Sequence, residues 1–296
     1  MRAIIRPARA EELQTAEELV ARSINELTER HGFGRIATLR PADFQLFSLR
    51  DDPDGLWVAE ADGEIAGFAF SWVAGDLWFL SELFVSPAHQ GGGIGNALMQ
   101  RTLEQARKTG AGNRALITFS FNTVSQGLYI RHGLFPRLPL YFFQVAREAC
   151  GHAPELRYTD IDIEADLEKL MQLDLATLGV SREKHHRFLQ SQSSIKGLLF
   201  HSGPDCVGYA YISANGPIGP LAVARRDMMA PAFRTALALA AETGAPQISA
   251  FVPGTATEAL DAAVAQGMRI TLPMVLVSAK DFGDWTRYLP RNPGFM

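Results

Sequence analysis

With 296 residues, 47% hydrophobic and 20% charged, the chain has a globular composition and enough length for two domains. Its formal net charge of −4 gathers into no basic stripe, which argues against nucleic acid as a partner. Two cysteines, Cys150 and Cys206, make neither a disulfide framework nor a zinc ligand set, so no metal is expected.

The N-terminus turns charged (Arg6, Arg9, Glu11) before an apolar signal core could form. A short apolar strand at Ile4 and Ile5 leads into a helix from about Ala10 to Arg30, with Leu13, Ala16, Leu19, Ile24 and Leu27 near a 3.6-residue period. Trp57–Glu60 and Glu64–Val73 read as a hairpin around Asp62-Gly63, a tight-turn pair. Leu77–Val85 is a further strand. The apolar stretch from Ile65 to Val85 is broken by Asp76 and Glu82, which excludes a membrane span and leaves a cytoplasmic protein as the expectation. A helix from about Gly93 to Thr109 closes on Gly110 as a C-terminal cap. Ala115–Phe121 reads as a strand, Ser125–His132 as a helix and Leu140–Ala146 as the last strand of this half.

The second half repeats the order. Leu156–Ile163 reads as a strand, Ala165–Leu178 as a helix, and Gly197–His201 with Val207–Ser213 as a hairpin. Pro220–Val223 is a strand, Ala230–Thr243 a helix, Gln247–Val252 a strand, Glu258–Gln266 a helix and Met274–Ser278 the final strand. Local echoes support the pairing: Ala66-Gly67-Phe68 answers Val207-Gly208-Tyr209, and His132-Gly133-Leu134 answers Gln266-Gly267-Met268. A linker is expected near Glu148–Pro154.

The most informative segment runs from Leu83 to Leu98. A strand ends at Val85, Pro87 stops it, Gly91, Gly92, Gly93 and Gly95 follow, and an amphipathic helix begins. Glycines at a strand-to-helix turn let a ligand approach the backbone, and the new helix offers free N–H groups to an anion such as a pyrophosphate. No Lys-Ser/Thr follows, so this is not a Walker loop, and it lacks the dinucleotide fingerprint. On spacing alone, a flexible loop that packs a helix tightly fits as well.

Val85-x-Pro87-x-x-Gln90-x-x-Gly93-x-Gly95 resembles the acyl-CoA signature of the GNAT N-acetyltransferases. Ile5-Arg6-Pro7-Ala8 resembles that family's first strand. Asn122-x-x-Ser125-x-x-Leu128-Tyr129-x-x-x-Gly133 resembles a later family block, with Ser125 in place of the commoner Ala and Leu134 where Phe is frequent. The resemblance covers about Arg2 to Arg147 with motifs and Leu156 to about Ala279 as pattern only. It implies an α/β (α+β) fold of two tandem units, each a mixed, mostly antiparallel sheet flanked by helices: 1–147 as the acyl-CoA-binding catalytic domain and 154–290 as a degenerate domain. Aligned from Val85 to Val223, Gly93 falls on Pro231 and Gly95 on Phe233; aligned from Gly133 to Gly267, Tyr129 falls on Ala263. Side chains there would block backbone approach, so no second CoA site is expected.

The resemblance further implies an acetyl group moving from acetyl-CoA to a primary amine of a small molecule or peptide by direct attack. Leu83, Phe84 and Val85 would line the pantetheine arm. Gln90, Gly91, Gly92, Gly93, Ile94, Gly95 and Asn96 would hold the pyrophosphate, and Asn122 and Ser125 would flank the arm. Tyr129 matches the family tyrosine that protonates the departing sulfur; outside the motif it reads as a packing residue. Glu82, alone among Leu80, Leu83, Phe84 and Val85, is the candidate base, since burial would raise its pKa toward a useful range. A partly solvated or salt-bridged glutamate fits the same pattern. Trp57, Phe68, Phe70, Trp72 and Trp78 read as core rather than as the lining of an apolar acceptor pocket, and Arg182, Lys184, His185, His186 and Arg187 as a solvated helix face rather than a cluster that attracts an acidic substrate. Two rival readings stay open: a catalytically silent acyl-CoA-binding or scaffolding protein, and an aminoacyl transferase on the same fold.

Overall fold

A computed structural model describes residues 3–150 and 153–296. Met1 and Arg2, and Gly151 and His152 within the expected linker, lie outside the described residues. The chain divides into two compact units, one of residues up to Ile117 with Thr123–Phe135, the other of Thr118–Asn122 with Pro136 onward.

The first unit orders its strands β1 (Ile4–Pro7), β2 (Leu56–Ala61), β3 (Glu64–Ala74), β4 (Leu77–Val85) and β5 (Asn113–Phe119), neighbour to neighbour. All pairs are antiparallel except β4–β5. Helices α1 (Leu13–Arg30) and α2 (Asp43–Asp51) connect β1 to β2, α3 (Ile94–Thr109) connects β4 to β5, and α4 (Thr123–Arg131) follows. The β2–β3 turn has φ of 55° at Asp62 and 82° at Gly63, the two positive values that a tight hairpin needs. The five residues that read as core behave so, apart from half-buried Trp57. Trp72 stacks on Phe79 at 4.9 Å, and the Trp78 indole N–H donates to Gln105 at 3.1 Å.

Strand β6 (Phe135–Ala146) falls in the second unit, not with the half that precedes it. It pairs antiparallel along β11 (Gln247–Pro253), from Leu140↔Pro253 to Ala146↔Gln247. Its Phe143 and Val145 pack into the core built by Phe200, Leu221, Phe233 and Ile248. That pairing spans about a hundred residues of sequence, so no local pattern announces it. The remaining elements are β7 (Arg157–Asp160), α5 (Ile163–Leu178), α6 (Glu183–Gln190), β8 (Ile195–Ser202), β9 (Asp205–Ser213), β10 (Pro217–Val223), α7 (Met229–Ala241), α8 (Thr257–Ala265), β12 (Arg269–Ser278) and β13 (Tyr288–Leu289). The strands of this unit run β12-β6-β11-β10-β9-β8-β7, with β13 on β10.

Register gives the repeat a physical basis. Gly67 pairs with Val85 on β4, and Gly208 pairs with Val223 on β10. A Cβ on Gly67 would stand 3.2 Å from the Phe84 carbonyl, and one on Gly208 would stand 2.5 Å from that of Ala222. The strands at Gly208 thus lie too close for a side chain, and those at Gly67 are tight enough that a neighbour would have to shift. Among the described residues, no helix is long and apolar enough to cross a membrane.

Candidate active site

Strand β4 organises the first unit. Its parallel pairing with β5 runs from Leu77↔Asn113 to Leu80↔Leu116, while β4 itself continues to Val85. On the β3 side the register slips, Phe70 facing Glu82 and Ser71 facing Leu80, so that Ser81 is an extra residue. Such a bulge bends a strand and re-aims its side chains. Past it, Leu83 and Val85 pack with Ile94 against Ala59, Ala69 and Leu98. Glu82 alternates to the opposite face with Phe70, whose ring meets Phe44 of α2 edge-on at 5.5 Å.

The chain then makes one tight turn at Pro87–His89 and runs extended through Gln90, whose side-chain amide donates back to the Val85 carbonyl at 3.1 Å. Gly91 and Gly93 both hold φ of +83°, and Gly93 is the N-cap of α3 with no capping side chain. A Cβ at either glycine would meet nothing within 4 Å, so the left-handed backbone, not crowding inside the protein, requires glycine there. Gly91, Gly92, Gly93 and Asn96 are exposed, and Ile94 and Gly95 half-buried. A long helix thus opens on an uncapped N-terminus flanked by exposed backbone, a setting suited to phosphate oxygens. The Asn96 side-chain oxygen Oδ1 lies 2.9 Å from His132 Nε2.

Tyr129 is buried on α4, 5% exposed. Burial pushes its phenol pKa up, and a hydrogen bond with the Ser125 side chain one turn earlier opposes that shift. Ser125, the residue that departs from the family block, therefore touches the tyrosine. Asn122 lies in the second compact unit, its N–H donating to the Phe119 carbonyl at 3.1 Å.

Glu82 does not stand alone. The Gln45 side-chain amide donates to Glu17 Oε1 at 2.5 Å and to Glu82 Oε1 at 3.0 Å, joining α1, α2 and β4. Part of the Glu82 residue reaches solvent, but its Oε2 is sealed and has no donor. Burial, followed by the charge of Glu17, raises the Glu82 carboxyl well above the usual range. Burial also raises Glu17 to about 7, opposed by a hydrogen bond from Glu82 and by the charge of Arg40. The sequence reading missed Glu17 and Gln45. A signal existed, because Glu17 falls on the apolar stripe of α1 with Leu13 and Val20.

The second unit treats the same positions differently. Pairing of β10 with β11 covers Pro217↔Ser249 and Ile218↔Ala250, and beyond it β13 lies against β10, Leu289 on Leu221 and Tyr288 on Ala222. The Val223 N–H donates to the Arg287 carbonyl at 3.0 Å. The edge matching Leu83–Val85 is therefore covered by the chain's own strand. Where the first unit has its glycine loop, Arg225 pairs with Asp227 and Arg226 with Glu258. Pro220 stands at the position of Glu82.

The residues expected to form a solvated basic face are a correction. Arg182, His185 and His186 are buried on and beside α6. Arg182 pairs with Asp174 of α5 at 2.9 Å and donates to the Met296 carbonyl at 2.5 Å, while Asp174 also bonds Tyr209 and His186. Burial works to raise the Asp174 carboxyl, but Arg182 and His186 overcome it and hold the group well below the usual carboxylate range. Charge composition alone does not distinguish a buried ion network from a wet surface.

A protein-family model described as the acetyltransferase (GNAT) family matches residues 16–134. Residues 16–134 thus match a GNAT-family acetyltransferase domain. A curated relative from Archaeoglobus fulgidus, described as an uncharacterized N-acetyltransferase, is 45% identical over 69 residues, covering 20% of this chain and 44% of its own length. The match thus spans less than half of that relative. A solved structure of a putative acetyltransferase from Pyrococcus horikoshii superposes with a TM-score of 0.79 at 17% identity, covering 100% of this chain and 96% of the other. A tandem GNAT protein from the clavulanic acid biosynthesis pathway superposes with a TM-score of 0.57 at 15% identity, covering 94% and 98%. At such identities the likeness concerns the fold, and over the whole chain that fold is the tandem GNAT fold.

Proposed function

We propose that the first GNAT unit is an N-acetyltransferase with acetyl-CoA as donor and a primary amine of a small molecule or peptide as acceptor. One observation carries the reading: β4 leaves β5 after Leu80, bulges at Ser81, and delivers an open edge to the glycine-rich N-terminus of α3. A pantetheine arm added along Leu83–Val85 would lead its pyrophosphate to Gln90–Asn96, and Asn122 and Ser125 would flank it.

The neutral amine attacks the thioester carbonyl carbon. The C–N bond forms, the C–S bond breaks, and sulfur leaves with its electron pair. The amine's proton goes to the carboxyl pair of Glu82 and Glu17 that Gln45 bridges, and the sulfur takes one from the Tyr129 phenol. Desolvation keeps the phenol protonated, so its proton is available when negative charge develops on the sulfur. The site resets as the carboxyl proton returns to the phenolate through solvent. The second unit contributes no donor site, because β13 covers its edge and charged pairs replace its loop.

Titration of the full chain with acetyl-CoA by calorimetry should give one site per chain. Thiol release should follow with at least one member of a panel of polyamines, amino acids, aminoglycosides and short peptides. Absence of acetyl-CoA binding, or two equivalent sites, overturns the proposal. Binding without release across the panel favours a silent acyl-CoA-binding protein.

A further inference from the structure

The charged groups around Glu82 are few. From α1 comes Glu17, from the segment before α2 comes Arg40, and α2 itself supplies neutral Gln45 and Phe44 beside Phe70 of β3. Gln45 offers one N–H to each carboxyl. If both glutamates were ionised, Glu82 Oε2 would be a charged oxygen sealed from water with no donor, an arrangement that buried sites avoid. A proton on Glu82 removes that charge, and the neutral carboxyl then hydrogen-bonds Glu17. The remaining negative charge then rests on Glu17, the carboxyl that Arg40 faces.

We infer that Glu17 is the ionised member of a proton-sharing carboxyl pair and takes the acceptor amine's proton, while Glu82, held neutral, and Gln45 are positioning residues. This rests on the acetyltransferase reading and moves the base from the strand to α1. In the transfer, the N–H bond of the attacking amine breaks and the proton joins Glu17, while Glu82 keeps its own. A carboxyl tuned to about 7 suits that task at neutral pH better than one held protonated throughout. The site before proton uptake carries one negative charge, which attracts acceptors that arrive as ammonium ions; such an ion releases one proton to bulk water, and the neutral amine gives the second to Glu17 as it attacks.

Two readouts test this. In the full chain labelled with ¹³C at glutamate carboxyls, one resonance should titrate near pH 7 and vanish in Glu17→Gln, and another, absent in Glu82→Gln, should stay protonated through neutrality. With acetyl-CoA and the panel amine of highest turnover, Glu17→Gln should lower kcat/KM at pH 7 by about 10²–10⁴-fold and abolish the acidic limb. Glu82→Gln places an amide donor where the neutral acid was, so kcat/KM should fall less than in Glu17→Gln and the limb near pH 7 should remain. A Glu82→Gln loss as deep as that of Glu17→Gln, or an ordinary carboxyl titration for Glu17, overturns the inference. Failure of acetyl-CoA binding in the unmodified chain would instead overturn the acetyltransferase reading, and the carbon resonances would still judge the pair.

Discussion

The carboxyl pair has a cost that shows in stability, and its sign follows from linkage. Glu17 titrates at about 7 in the folded chain against 4.5 as the ordinary value. As pH rises from 4, the unfolded chain releases this proton first, so the stability that is complete below about 4.5 is lost progressively up to about 7. At 1.36 kcal/mol per pKa unit, the move from 4.5 to about 7 destabilises the fold by about 3 kcal/mol at pH 8. Glu17→Gln removes that titration but keeps a polar partner for Gln45. Urea unfolding of both proteins at pH 4 and pH 8 should show the variant gaining about 3 kcal/mol on the parent between the two conditions. Glu82→Gln should gain in the same direction, because its carboxyl is raised further. A parent-to-variant difference that is the same at both pH values would refute the shared-proton account, whatever the enzymatic results.

Gly93→Val forces a β-branched residue into φ of +83° and should abolish measurable acetyl-CoA binding by calorimetry. Gly110→Val, strained alike at φ of 71° but at the far end of α3, should lose similar stability and keep the binding. Tyr129→Phe removes only a hydroxyl and its Ser125 partner. It should cost about 1 kcal/mol of stability and lower kcat by about 10²–10⁴-fold, with acetyl-CoA affinity kept; near-normal turnover would make the tyrosine a packing residue. Asp174→Asn leaves the Arg182 guanidinium buried without its anion and should cost about 3–5 kcal/mol in chemical denaturation. Leu289→Ala should cost about 2–5 kcal/mol and speed hydrogen exchange along β10.

What was legible in the sequence divides along physical lines. Elements with apolar periodicity or a turn of specific backbone chemistry were readable: the helix closing on Gly110, the Asp62-Gly63 hairpin and the run from Val85 through Gly93 all stand where their residues place them. Helix α2 was not, because the residues it buries include Gln45 and Ser48, and a polar buried face has no apolar rhythm. The same blindness hid the candidate site's acidic half. Glu82 drew notice as a charge in an apolar strand, but its partners come from helices 37 and more residues away, and only tertiary structure brings Glu17 and Gln45 onto it. The placement of β6 and the burial of Arg182 share that cause, since long-range pairing decides each.

The two units read as one design under two constraints. Each has a fourth strand whose pairing with the fifth stops early, which leaves backbone N–H and C=O groups that need partners. The second unit meets that need permanently. Strand β13 bonds to β10, and the segment is fastened by Tyr288 and Arg182, both donating to the Met296 carbonyl. The fastening is buried and ionic, so removing one partner is costly and the strand is held in place. The first unit has the glycine loop beside its open edge, where a ligand can supply the missing partners and its phosphates can meet the start of α3. A gap filled from within needs no glycines beside it, which is why Pro231 and Phe233 are tolerated where Gly93 and Gly95 stand in the first repeat. The loss of the loop and the gain of the strand are thus two sides of one substitution: a built-in peptide in the second unit takes the place that the first leaves to its donor.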